Sequence, residues 1–292
     1  MAHKAGYVTL LGNPNEGKST LMNAMLGEQL AIATPKAQTT RHRTLGIYNT
    51  PEVQMVFSDT PGVIQPAYAL QKAMMEAVQT TFEDADVVML LSEATPTPLK
   101  DESLEQRLQR LAIPLLVVLN KIDLVDGPQL DQAFEFWQER FPKASIYPVS
   151  ALEGVQVKAL RSKLEELMPE SPPYFAKEDL SDRHERFFVA EMIREQILLH
   201  YKKEIPYAVQ VEVETFEEEP DINRIRAVLY VERDSQKGIV LGRQGVAIKK
   251  VGSQARRKME NFFGKKVYLE LFVKVRKNWR QNDEDLKRFG YR

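Results

Sequence analysis

Gly12-Asn13-Pro14-Asn15-Glu16-Gly17-Lys18-Ser19 follows an apolar run, Tyr7–Leu11, and opens a helical pattern. The spacing is G-x-x-x-x-G-K-S, in which glycines let successive backbone N–H groups wrap a phosphate and the helix N-terminus adds its positive dipole end. Lys18 is then placed to reach the β- and γ-phosphates and Ser19 to ligate Mg²⁺, with Thr20 completing the cofactor-binding stretch. Asp59-Thr60-Pro61-Gly62 closes a second apolar run, Val53–Ser58. A carboxylate at a strand's carboxyl end suits Mg²⁺, and Gly62 suits a hinge that senses a γ-phosphate. Asn120-Lys121-Ile122-Asp123 closes a third run, where the Asp123 carboxylate can accept from both N1–H and the N2 amine of guanine while Asn120 ties loops together. Adenine offers no such pair of donors. Ser150-Ala151-Leu152 ends the last run, positioned for a backbone contact to the guanine oxygen. The expected ligands are GTP and GDP with Mg²⁺.

The elements that must position these residues alternate through the first half: short runs of Val, Ile and Leu, each followed by a helical pattern. Parallel strands buried on both faces and joined by crossover helices read this way, which predicts an α/β doubly wound domain over residues 1–169. Met168-Pro169-Glu170-Ser171-Pro172-Pro173 cannot continue a helix and predicts an extended linker over 170–182. Residues 183–292 then read as α-β-β-α-α-β with a short basic tail.

Composition agrees with two globular domains: 292 residues, 43% hydrophobic and 28% charged, without a single Cys. Disulfide frameworks, iron–sulfur clusters and thiol nucleophiles are excluded. The four histidines, His3, His42, His184 and His200, form no ligand cluster in the sequence. The longest apolar stretch, Ile113 to Leu119, is interrupted by Pro114, so a cytoplasmic protein is expected. The net charge of −1 conceals a division, with residues 1–180 at −7 and residues 181–292 at +6. Residues 237–292 alone hold 16 basic against 5 acidic side chains, as a surface meeting phosphates would.

Within that basic stretch, Gly242-Arg243-Gln244-Gly245 is a G-x-x-G between two helical segments, followed by Ile248-Lys249-Lys250. The four-residue pattern arises by chance about once in a chain of this glycine content, so its context carries the weight. In α-β-β-α-α-β order it resembles an α+β type II KH domain, whose glycine loop approaches a sugar–phosphate backbone closely. That likeness implies RNA contacts from Gly242, Arg243, Gln244, Gly245, Lys249, Lys250 and Arg256, with Arg257 and Lys258 supplying further phosphate contacts. Trp279 is open to two readings, a stacking platform for an RNA base or a core residue.

The first half, with Gln38-Thr39-Thr40-Arg41 between its first helix and second apolar run, resembles a Ras-like G domain of the P-loop NTPase class, with Thr40 the first choice and Thr39 the second for the switch threonine that meets Mg²⁺ and the γ-phosphate. A Ras-like protein carries Gln after Asp-x-x-Gly; here that residue is Val63, which cannot orient water by hydrogen bonding. In the related branch with an apolar residue at this point, a P-loop asparagine helps hold K⁺ in place of an arginine finger, and Asn15 occupies that position. Lys18, Thr40 and Asn15 are thus the expected catalytic set.

The whole chain, G domain, Pro-bearing linker and KH domain, resembles the Era family of bacterial GTPases. The resemblance implies a monomeric GTP-controlled factor of small ribosomal subunit assembly that binds the 3′ end of small-subunit ribosomal RNA. It also implies peripheral contact with the inner membrane, for which Tyr174-Phe175 and the basic tail are the available residues. The family generally reads Gly-x-Pro-Asn-Val-Gly-Lys-Ser, whereas this chain has Glu16, a carboxylate beside a polyanionic nucleotide. Two other functions compete: an RNA-binding module whose G domain is only a scaffold, motivated by Glu16 and Val63, and a GTPase serving an RNA-modifying partner enzyme.

Overall fold

The computed structural model describes residues 2–292. They form two compact units, one holding the chain up to Ala67 with Gln71–Asp182, the other holding Arg183–Arg292 with the short stretch Tyr68–Leu70.

The first unit is built on six strands: β1 (Lys4–Leu11), β2 (Thr44–Asn49), β3 (Val53–Asp59), β4 (Val87–Glu93), β5 (Leu115–Asn120) and β6 (Ser145–Pro148). Their spatial order is β2-β3-β1-β4-β5-β6, with every pairing parallel except β2 against β3. The helices are α1 (Lys18–Leu26), α2 (Ala69–Thr80), α3 (Glu102–Gln109), α4 (Gly127–Arg140) and α5 (Val157–Leu167). All of β3 and nearly all of β4 and β5 are buried, which is why these strands read as unbroken apolar runs. Val88 and Leu90 of β4 share one core with Val117 and Leu119 of β5, Leu104 of α3, and Ala133 and Trp137 of α4.

Strand β2 was absent from the sequence reading. Gly46 interrupts its apolar pattern, and the glycine sits where a Cβ would lie 2.7 Å from Leu26, so α1 packs directly on its backbone. Residues 170–182, expected as a linker, lie along the first unit. Gln54 accepts from the N–H groups of Tyr174 (2.7 Å) and Phe175 (3.0 Å), and its own amide donates to Phe175 O at 3.0 Å. Farther on, Ile47 donates to Leu180 O (2.9 Å) and Ser181 Oγ to Leu45 O (2.5 Å), which covers the open edge of β2. Tyr174, offered by the sequence as a headgroup contact, stacks on Tyr7 with ring centroids 5.2 Å apart.

The second unit contains α6 (Glu185–His200), α7 (Ile205–Ala208), β7 (Gln210–Glu218), β8 (Ile222–Val231), α8 (Asp234–Leu241), α9 (Val246–Phe263), β9 (Lys266–Val275) and α10 (Asp283–Arg288). β8 lies between β7, which is antiparallel to it, and β9, which is parallel. A parallel neighbour needs a crossover, and α8 and α9 supply it. Val251, Ala255 and Met259 repeat every fourth residue and form the buried face of α9. Arg194 of α6 is buried and paired with Glu191, and Lys258 of α9 donates to both carboxylate oxygens of Glu195 at 2.6 and 2.7 Å. Lys258 is therefore engaged within the unit, correcting its assignment to phosphate contact.

The basic tail contains a capped helix. Asn282 Oδ1 accepts from Asp285 N at 3.0 Å, acidic residues fill the first turn of α10, and Lys287 and Arg288 fill the last. Trp279 is fully buried, donates its Nε1–H to Ala208 O at 2.9 Å, and meets Phe289 edge-on. It is a core residue, unavailable to a nucleobase. Trp279→Ala is expected to destabilise the second unit by about 3–5 kcal/mol, seen as an increase in hydrogen exchange at β8 amides; unchanged exchange would contradict this role.

Candidate functional site

Strand order reverses on either side of β1, and the sequence-predicted nucleotide residues gather beyond the carboxyl ends of β1, β3, β4, β5 and β6, the place where doubly wound sheets bind ligands. The loop from Gly12 to Gly17 leads into α1, with Asn15 at φ 71° and Gly17 at φ 89°. Gly17 is needed twice over: its backbone is left-handed, and an added Cβ would lie 2.2 Å from the Asn120 side-chain nitrogen.

Asn120 is almost fully buried and joins three loops. Its Nδ2 donates to Glu16 O at 2.8 Å and its Oδ1 accepts from Ala151 N at 3.0 Å. Lys121 donates to Asn15 O at 2.7 Å and pairs with Glu93 at the end of β4. Glu93 was missed by the sequence reading; its place at the same sheet edge as Asp59 and Asn120 is the signal that could have found it. Asp123 is exposed on a single 3₁₀ turn, Ser150 is buried, and Leu152 projects into solvent. Asn13 points sideways, donating to Pro98 O (3.0 Å) and accepting from Lys100 N (3.1 Å).

Lys18 is buried and donates to Gly12 O (3.1 Å) and Asn13 O (2.8 Å), so the loop's own carbonyls hold its ammonium. Burial pulls its pKa below the ordinary lysine range, against the opposing pull of Glu16 and Asp59. Ser19 Oγ donates to Asp59 Oδ2 at 2.7 Å and lies 2.9 Å from Thr40 Oγ1, which is 3.2 Å from the same carboxylate oxygen. Three hard oxygens thus converge, a donor set that suits Mg²⁺ sharing its remaining positions with phosphate and water. The structure brings Thr40 to this cluster; Thr39 instead bonds Lys36 O at 2.6 Å and Thr34. Beside it, Asn15 Nδ2 donates to Pro35 O at 3.1 Å. Val63 N–H donates to Gly12 O at 3.0 Å while its side chain is buried in the core.

In the second unit, Gly242 (φ 69°) and Gly245 (φ 76°) flank exposed Arg243 and Gln244 ahead of α9. A Cβ on Gly242 would meet Ala247 at 2.6 Å, whereas one on Gly245 would project into open space. Lys249, Lys250, Arg256 and Arg257 are exposed on the solvent side of α9. An open groove of about 450 Å³ runs between α9 and β9, floored by Ile248, Leu269 and Leu271 and walled by Lys249 and Arg256. Its apolar floor and Tyr268 escaped the sequence reading, because the partner strand lies beyond the helix and is brought alongside it only by β8–β9 pairing.

A phosphate-type loop with its switch and base-side loops on one sheet edge, and a separate glycine loop beside a basic groove, define a P-loop G domain followed by a KH domain. Residues 7–121 match the family described as 50S ribosome-binding GTPase, and residues 204–280 match the KH domain family. The chain is 40% identical to GTPase Era of Thermoanaerobacter sp. and of Thermoanaerobacter pseudethanolicus, over all of this chain and 97% of each relative. A crystal structure of Era in complex with MgGDPNP and nucleotides 1506–1542 of 16S ribosomal RNA has TM-score 0.95 and 34% identity to it, covering 99% of both chains. A variant of Aquifex aeolicus Era bound to GDP.AlF4- has TM-score 0.94, also at 34% identity and 99% coverage. The chain belongs to the Era family of GTPases.

Asp123→Asn is expected to weaken GTP binding by roughly 3 kcal/mol, about a hundredfold, and to shift preference toward xanthine nucleotides, whose 2-oxo group accepts from an amide. Calorimetry with both nucleotides checks this; equal binding of ATP and GTP by the unmodified protein would refute guanine reading.

Proposed function

We propose that this protein hydrolyses GTP and binds the 3′ end of small-subunit ribosomal RNA through its KH unit, acting in assembly of the small ribosomal subunit, with nucleotide state setting RNA affinity. One observation carries the reading: a complete phosphate, switch and guanine constellation and a G-x-x-G groove occur in a chain aligned end to end with Era relatives. The Era structure solved with a 16S ribosomal RNA fragment supports the choice of RNA. A cytoplasmic setting is part of the proposal; no helix among the described residues is long and apolar enough to cross a membrane.

In the proposed reaction, Lys18 leaves the carbonyls of Gly12 and Asn13 for the β- and γ-phosphate oxygens, while backbone N–H groups from Asn15 to Ser19 enclose the β-phosphate. Ser19, Thr40 and Asp59 would hold Mg²⁺, which when bound neutralises charge developing between the β- and γ-phosphates. Thr40 thereby ties the segment after α1 to the presence of the γ-phosphate. Asp123 selects guanine, and Asn120 keeps its loop in register with the phosphate loop. Val63 is buried and apolar, so it leaves the attacking water unoriented. Asn15, beside the segment that carries Thr40, is the proposed K⁺ ligand, and K⁺ there would supply positive charge to the leaving group. On exchange of K⁺ for Na⁺ at matched ionic strength the hydrolysis rate is expected to fall, and Asn15→Ala to abolish the difference; equal rates in both salts would exclude the K⁺ role.

The exposed cations of α9 contact phosphates without choosing sequence, and the groove beside β9 accepts bases. Replacing Arg243 and Gln244 together by Asp is expected to reduce RNA affinity at least tenfold with GTP affinity unchanged. Neutralising Lys249 and Lys250 should lower the slope of log affinity against log salt by about 1.4, the single-strand coefficient for two phosphate contacts. Undiminished RNA binding by the double aspartate variant would refute the KH assignment of function. GTP turnover measured with RNA present decides against the scaffold alternative, which allows none.

A further inference from the structure

At the sheet edge opposite the nucleotide loops, the first unit has an open pocket of about 680 Å³ between the ends of α3 and α4 and the starts of β5 and β6. Leu115 begins β5 and Asn120 ends it, so roughly 17 Å of strand separates this pocket from the guanine loop. It is a different place from the nucleotide site. Leu108, Leu111, Ile113 and Phe141 supply its apolar lining, with Leu108 and Phe141 buried in the core and the other two packed against it. The volume lies within the range of small-molecule pockets, about 300–1,000 Å³. Gln109 Nε2 donates to Arg140 O at 3.3 Å and ties the two helix ends together.

Three cations surround that lining: Arg110, Arg140 and Lys143. They stand in a half of the chain with the opposite sign, residues 1–180 carrying a net −7. Arg140 belongs to the last turn of α4, where a cation meets helix-end carbonyls, and it lies 4.0 Å over the Phe136 ring and 3.3 Å from Glu105. Its buried Nε nevertheless makes no hydrogen bond. Arg110 and Lys143 lie beyond the helices, are exposed, and have no ion-pair partner among the described residues. The backbone offers far less than these side chains. The N–H groups of Arg110, Leu111, Phe141 and Ala144 are taken by the carbonyls of Arg107, Leu108, Trp137 and Phe141, and Pro114 and Pro142 have none to give. An added peptide strand needs a row of free backbone groups, whereas a ligand held by side chains needs only an apolar body and a charge of opposite sign.

We propose that this pocket binds an alkyl carboxylate of medium length, its chain against Leu111, Ile113 and Phe141 and its head group among Arg110, Arg140 and Lys143. The apolar lining is aliphatic except for Phe141, which suits an alkyl chain. Two guanidinium groups suit a carboxylate, since each presents paired N–H donors to its two oxygens. Binding is non-covalent, and no residue of the nucleotide site takes part.

Octanoate and octan-1-ol share a chain and differ in the head group, so titrating each into the full-length protein separates the charge from the apolar body. Backbone amide NMR shifts locate the site. Saturable shifts at Leu111, Ile113 and Ala144 are expected with octanoate, and weaker binding of the alcohol by about tenfold. Replacing the exposed pair together, Arg110→Glu with Lys143→Glu, is expected to weaken octanoate by about tenfold or more while leaving octan-1-ol within about twofold. Both positions are on the surface, so the variant keeps its fold, and an otherwise unchanged amide spectrum checks that. Octan-1-ol binding as tightly as octanoate, or undiminished octanoate binding by the double variant, would overturn the anion preference and with it the proposal. No saturable shift at millimolar octanoate, or shifts confined to other parts of the chain, would overturn the site itself.

Discussion

Everything at the nucleotide edge of the first unit hangs on the side-chain amide of Asn120. One amide group has a donor and an acceptor fixed at opposite ends, and here each is used once: the nitrogen holds the Glu16 carbonyl and the oxygen holds the Ala151 amide. Three loops from β1, β5 and β6 are thereby set at fixed separation. A carboxylate in its place would supply acceptors only, and an alkyl group would leave two buried polar groups unpaired. Gly17 is the matching constraint on the other side, since only a residue without Cβ passes this close to the amide.

The same edge concentrates charge that water does not reach. Lys18 and Asp59 are buried within one small cluster with Ser19, and Glu16 is buried beneath the first glycine of the loop. In the interior such groups are tolerated when each is paired or when its charge can be withdrawn by a proton. Lys18 finds carbonyls, and Asp59 finds the hydroxyls of Ser19 and Thr40. Glu16 retains an oxygen with no partner among the described residues.

The second unit solves a different problem, presenting charge instead of burying it. Its helices α6 and α9 retain Arg194, Glu191, Glu195 and Lys258 as internal pairs, while the outer face of α9 keeps Lys249, Lys250, Arg256 and Arg257 free for solvent or phosphate. Net charge over residues 237–292 therefore overstates the surface available to RNA, because Lys258 is bonded to Glu195, and Arg276, Arg280 and Arg288 are paired with Asp285, Glu232 and Glu212. The α9 side of the groove beside β9 is among the surfaces that stay basic.

The phosphate, switch and guanine motifs were legible in the sequence because their chemistry depends on local spacing: a turn of fixed length between a buried strand and a helix. The crossover architecture was legible as well, since parallel strands buried on both faces need continuous apolar runs. What escaped was set by partners distant in the chain. Strand β2 pairs antiparallel at an edge, with Gly46 accommodating α1, so it carries no buried run; the segment 170–182 looks like a linker until Gln54, Leu45 and Ile47 bind it. Trp279 among basic residues reads equally as a stacking platform or as core, and only the Ala208 carbonyl and Phe289 decide it. Residue types and their order along the chain determined which chemistry is present; tertiary structure alone decided which charges are buried, paired or open, because burial and pairing depend on neighbours that spacing cannot name.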